Sequence, residues 1–223
     1  MYNGERAGGG PFSLKEMMTM ARFFALDGKA YRILQKIYQL IVLNVLFVIG
    51  ALPIVTVGAS LTALYSMALK LDDPNTVAVA PGFWRAYRAN WRQGSLLGLL
   101  VIGLAAGMVG GYWWIGSVVG GTSPVMIAVI AVYAVALLAV MYIFPLAARY
   151  QETIGQILRN SVTLAVGNAW ESIVIFLLMI AVIFYLPFKY HWLFIIILLM
   201  GFAGTAYLQS WLLQRVFAKY DQD

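Results

Sequence analysis

Charges and turn residues divide the chain into six apolar segments, at about 37–52, 54–70, 94–118, 124–148, 169–187 and 191–213. Each is continuously apolar instead of alternating, which predicts helices and argues against barrel strands. Helices of about 20 apolar residues satisfy their own backbone across the ~30 Å of a bilayer's hydrocarbon. The reading is an all-α, polytopic transmembrane bundle of about six spans. Polar connections lie at 71–93 and 149–168, and "GGTSP" (120–124) and "PFKYH" (187–191) are short turns.

The stretch "LNVLFVIGALPIVTVGASLTALY" (43–65) is the ambiguous one. Pro53 removes a backbone donor and disfavours helix at Leu52, so a break is expected there. Each half then has about 16 residues, roughly 24 Å of helix, which is short for a full span. Lysine and arginine weigh on the count of passages. With an even number of passages through 37–70, fourteen of the fifteen cations fall on one side and only Lys189 on the other. A single passage would split them eight to seven. Cytoplasmic loops collect Lys and Arg, so the even count is favoured and both termini are expected inside. The first pair is therefore short, broken or re-entrant at Pro53.

Composition agrees. The chain is 62% hydrophobic and 11% charged, whereas soluble domains sit near half apolar and a quarter charged. The net charge of +6 fits cationic loops on one membrane face, and a nucleic-acid partner is not expected. There are no cysteines, which excludes disulfides and thiolate chemistry. Residues 1–30 show no cleavable signal peptide and read as a cytoplasmic tail. The transmembrane domain is expected at 31–215 and a second tail at 216–223.

Three constellations stand out. In "FWRAYRANWR" (83–92), helical spacing puts Trp84, Tyr87 and Trp91 on one stripe and Arg85, Arg88 and Arg92 on the next. An aromatic edge beside a cationic edge suits an interfacial helix over 80–93 on lipid headgroups, or a partner-docking element. The third segment carries Gly94, Gly98, Gly103, Gly107 and Gly111, a small-xxx-small series for close helix packing within the chain, for a homo-oligomer face or for a gating helix. Polar or helix-breaking groups sit at membrane depth in the first pair: Asn44, Pro53, Thr56, Gly58 and Ser60. No nucleophile–base set, phosphate loop or paired carboxylates is visible, and His191, the single histidine, sits at the expected outer interface. No enzyme, metal or cofactor is expected.

The blocks "LNVL", "LPIVTVGASLTALY" and "FWRAYRANWRQ" together resemble the YesL-like family of bacterial integral membrane proteins, a domain of unknown function. The resemblance covers roughly residues 30–215. It implies a multi-pass protein of the bacterial plasma membrane, and members are often associated with carbohydrate-uptake systems beside ABC importers. The chain's "ETIGQILRNSVTLAVGN" lacks the loop by which importer permeases dock their ATPase. The expectation is a non-enzymatic accessory component whose partners are membrane lipids and importer subunits or a second copy. A standalone small-solute transporter or channel and a membrane scaffold or sensor are the alternatives.

Overall fold

The computed structural model describes residues 29–73, 78–119, 123–190 and 193–220. The expected tail through residue 28, His191 and residues 221–223 lie outside the described residues. Every regular element among the described residues is helical. They are α1 (Lys29–Ala51), a 3₁₀ turn (Ile54–Thr56), α2 (Val57–Ala68), α3 (Val79–Val119), α4 (Pro124–Arg149), α5 (Ile154–Gly167), α6 (Ala169–Ile180), a π-helical turn (Ala181–Tyr185), α7 (Leu186–Lys189) and α8 (Leu193–Tyr220).

Among the described residues, three helices are long and apolar enough to cross a membrane: Tyr31–Ala51, Val79–Val118 and Pro124–Arg149. The pair α5–α6, bent by 99°, makes a fourth if counted as one span. The second apolar segment yields only the short stretch Ile54–Ala68, because Pro53 stops helix on one side and "LDD" follows Lys70 on the other. The expected boundary between an interfacial helix at 80–93 and a span at 94–118 does not exist in the backbone. Residues 79–119 form one continuous helix of 41 residues. The change from cationic to apolar sequence at 92–96 alters what the helix faces, and nothing there removes a backbone hydrogen bond.

The ends follow from local chemistry. Ser123 caps α4 by accepting from the Val125 N–H at 3.3 Å, with Pro124 in the first turn, where a missing N–H is harmless. Thr153 and Gln156 form a reciprocal capping box at the start of α5. The π-helical turn at 181–185 lies just before Pro187, whose absent N–H would leave a gap in a regular ladder. The boundary expected at 215/216 falls inside α8, where Val216 and Phe217 are buried.

From Leu40 onward the chain builds two adjoining cores. One joins Leu43 and Phe47 of α1, Ala63, Leu64 and Met67 of α2, Phe83 of α3, and Ala203 and Ala206 of α8. The other joins Leu97 of α3, Tyr142 and Ile143 of α4, Ile157 and Leu164 of α5, Ile175 of α6, and Leu213 and Phe217 of α8. Leu61 and Tyr65 of α2 pack against both, so the short helix is the element the two cores share.

Candidate functional site

The site begins with the hairpin that α1 and α2 make about Pro53. Pro53 itself is extended, with φ −78° and ψ 119°, and the chain reverses there. The Ser60 hydroxyl donates to the Phe47 carbonyl at 2.7 Å, and the Thr56 hydroxyl donates to the carbonyls of Gly50 and Pro53, each at 2.9 Å. These bonds tie residues nearly symmetric about Pro53, as two antiparallel limbs require. Asn44 is fully buried, and its Oδ1 accepts from the backbone N–H of Ala203 at 3.0 Å, fastening α1 to α8.

Gly58 is where the hairpin meets α3. A Cβ on Gly58 would fall 2.7 Å from the Cα of Gly98 and against the Gly94 carbonyl, and one on Gly94 would fall 2.7 Å from the Cα of Ala59. Backbones this close admit no side chain. The glycine series of α3 then divides. Gly94 and Gly98 pack on α2, Gly111 faces the Tyr133 hydroxyl of α4, and Gly103 and Gly107 meet nothing within 4 Å.

The aromatic edge of α3 packs partly inward. The ring of Trp84 stands edge-on to those of Phe83 and Tyr87, at 5.6 and 5.4 Å between centroids. The Tyr87 hydroxyl reaches the Gly50 carbonyl at 3.5 Å. Trp91 is half exposed, and Arg85, Arg88 and Arg92 are exposed. Of these three arginines, Arg85 lines a cavity and the other two do not.

That cavity, of about 910 Å³, opens where the ends of α2 and α4 meet the first half of α3. Lys70 follows α2, Arg85 comes from α3 and Arg149 ends α4; Asp73 and Glu152 bring carboxylates, and Ser66, Asn90, Gln93 and Gln151 bring uncharged polar groups. A hollow of about 450 Å³ shares Ser66, Lys70 and Arg149 and adds Gln214. The surroundings are held firmly. Gln93 Nε2 donates to the Glu152 carbonyl at 2.5 Å, Asn160 Nδ2 donates to Glu152 Oε2 at 2.8 Å, and the Arg149 guanidinium lies 5.1 Å from the Phe217 ring centroid. The volume falls in the range of small-ligand sites. Its wall offers three cations and two carboxylates from separate elements, a pattern that recognises charge and hydrogen-bonding shape.

Sequence reasoning did not find the polar pairs formed across the bundle. The Tyr65 hydroxyl donates to Gln209 Oε1 at 2.5 Å, while Gln209 Nε2, fully buried, has no hydrogen-bond partner among the described residues. Tyr142 and Ser172 share a buried hydrogen bond of 2.8 Å. Gln209 was open to discovery as the one amide within the last apolar segment. Its partner, 144 residues away, was not.

The sequence model of a family described as "Protein of unknown function, DUF624" matches residues 40–112. That stretch holds the hairpin, the Gly58–Gly94–Gly98 crossing and both stripes of α3. Comparison with curated proteins and with solved structures returns no match.

Proposed function

We propose that the chain is a membrane-embedded, non-enzymatic accessory component that docks a partner through its cationic end, in a bacterial carbohydrate-uptake system of the ABC-importer type. The observation carrying the docking part is the cavity that gathers Lys70, Arg85 and Arg149 from three elements. Supporting the membrane part are the long apolar helices and the exposed apolar surface of α3 and α4 beyond that end. The cation distribution supports a cytoplasmic position for the cavity and for both termini. The agreement needs only that the hairpin's two limbs enter and leave by the same face, which a re-entrant pair and a double crossing both do. The match to a family of unknown function is compatible with YesL-like membership, and the importer context comes from that resemblance alone. Crosslinking and affinity purification from the native host tests the proposal. Recovery of importer subunits with the wild-type chain, and their loss with Arg85→Glu at unchanged folding, is the expected result. Absence of any importer subunit sinks it.

A second reading, a standalone small-solute transporter, is favoured by one observation: Gln209 Nε2, buried beside Tyr65 among the helices with no hydrogen-bond partner among the described residues. It requires solute flux in liposomes holding the pure protein alone, which the accessory reading does not.

A further inference from the structure

We infer that the α1–α2 hairpin is re-entrant, with its tip, Leu52–Val55, immersed in lipid acyl chains of the leaflet on the cavity side. The inference rests on the chain lying in a membrane and is independent of any partner or solute.

Depth comes first. α2 has 12 residues, about 18 Å of helix at 1.5 Å per residue, well short of the ~30 Å of hydrocarbon. Gly58, the second residue of α2, stacks on Gly94 and Gly98 of α3, and five residues further along α3 Gly103 already meets nothing within 4 Å. The apolar run of α3 starts after Gln93 and continues to Val119. The hairpin thus accompanies the first ~10 residues of that run, roughly 15 Å. Beyond it, α3 pairs with α4 through Gly111 and Tyr133, and Gly116 and Met126.

Surface comes second. Leu52, Ile54 and Val55 are 74%, 72% and 54% exposed, and Pro53 between them is exposed too. Four consecutive apolar side chains at a turn are the reverse of what a turn in water presents. Backbone comes third. A turn in hydrocarbon must satisfy its own polar groups. Here the Leu52 N–H donates to Ile49, the Thr56 N–H donates to Pro53, the Thr56 hydroxyl covers the carbonyls of Gly50 and Pro53, and Pro53 has no donor to satisfy. Thr56 turns what would be water-seeking carbonyls into internal ones. A short second limb, an apolar tip and an inwardly bonded turn together select acyl chains as the occupant.

The absence of cysteine makes the test direct on the full chain. Single variants Leu52→Cys and Ile54→Cys, with Arg88→Cys marking the cavity side and Ser123→Cys the far end of α3–α4, are reconstituted in sealed vesicles. Each is treated with a membrane-impermeant maleimide before and after permeabilisation by a pore-forming peptide. A fluorescent label placed at each tip position in detergent is then read against phospholipids nitroxide-labelled on the acyl chain. The expected result is loss of maleimide labelling at both tip positions from both faces, normal labelling of both markers from opposite faces, and quenching by acyl-chain nitroxide. Tip labelling from the Ser123→Cys face would show a full double crossing and overturn the inference. Tip labelling from the Arg88→Cys face would place the tip in water, and protection without quenching would mean that protein covers it; either also overturns it. If both markers label from one face, the membrane reading itself falls.

Discussion

Gly58 and Gly98 meet backbone to backbone: a Cβ on the first would lie 2.7 Å from the Cα of the second. The contact locks α2 onto the midpoint of α3, and α2 is the element shared by both cores. Overpacking a site where backbone must move costs typically 1–3 kcal/mol and sometimes more. Gly58→Val should therefore destabilise the fold by about 3 kcal/mol. Gly107→Val, in the glycine series of α3 but with nothing within 4 Å of its added Cβ, should change stability by less than about 0.5 kcal/mol. Chemical unfolding in detergent micelles, followed by tryptophan fluorescence, compares the two. Equal losses would mean that the crossing is not as tight as described.

Thr56 holds the turn by one hydroxyl on two carbonyls. Thr56→Val keeps shape and branching and removes the donor; the Pro53 carbonyl keeps the Thr56 N–H, while the Gly50 carbonyl is left with the Tyr87 hydroxyl at 3.5 Å. The expected loss is roughly 1–3 kcal/mol, the cost of a polar group left unsatisfied. Thr56→Ser should restore most of it, since the hydroxyl returns. A Val variant as stable as the wild type would mean that the carbonyls find other donors.

Arg85 and Arg92 are both exposed arginines on α3, yet only Arg85 lines the cavity. If the cavity docks a partner, Arg85→Glu should abolish partner crosslinking while Arg92→Glu retains it, with membrane insertion equal for both. Loss of insertion by either variant would instead indicate that the stripe anchors the helix at the lipid surface.

How far these features could be read ahead depends on their range. Pro53 announced its break because a missing donor acts locally. Continuity through residues 92–96 could not be read, because amphipathic and apolar sequences both make helix, and a change of hydropathy mimics a boundary. The glycine spacing marked Gly94, Gly98, Gly103 and Gly107 alike, yet only the first two touch α2. Small-xxx-small permits close approach without naming the neighbour. The cavity was hidden for the same reason: Lys70, Arg85 and Arg149 come together only once α2, α3 and α4 are packed.

Tyr65 and Gln209 carry the last prediction. Their hydrogen bond joins α2 to α8 inside the bundle, and Gln209 Nε2 has no partner among the described residues. Gln209→Leu removes that donor but leaves the Tyr65 hydroxyl without its acceptor. Tyr65→Phe removes the hydroxyl but leaves the whole amide unsatisfied, so it should cost more than Gln209→Leu. The double variant removes every polar atom of the pair and replaces it with apolar volume, which is often neutral where both partners go together. The cycle should give a coupling of about 0.6 kcal/mol, the average for hydrogen bonds between membrane helices, and no more than about 1.7 kcal/mol, their maximum. Measured unfolding free energies of the four proteins decide it. Additive losses would show that the two side chains are neighbours without an energetic bond. A double variant whose loss exceeds the sum of the two single losses would show that the pair supports contacts beyond itself.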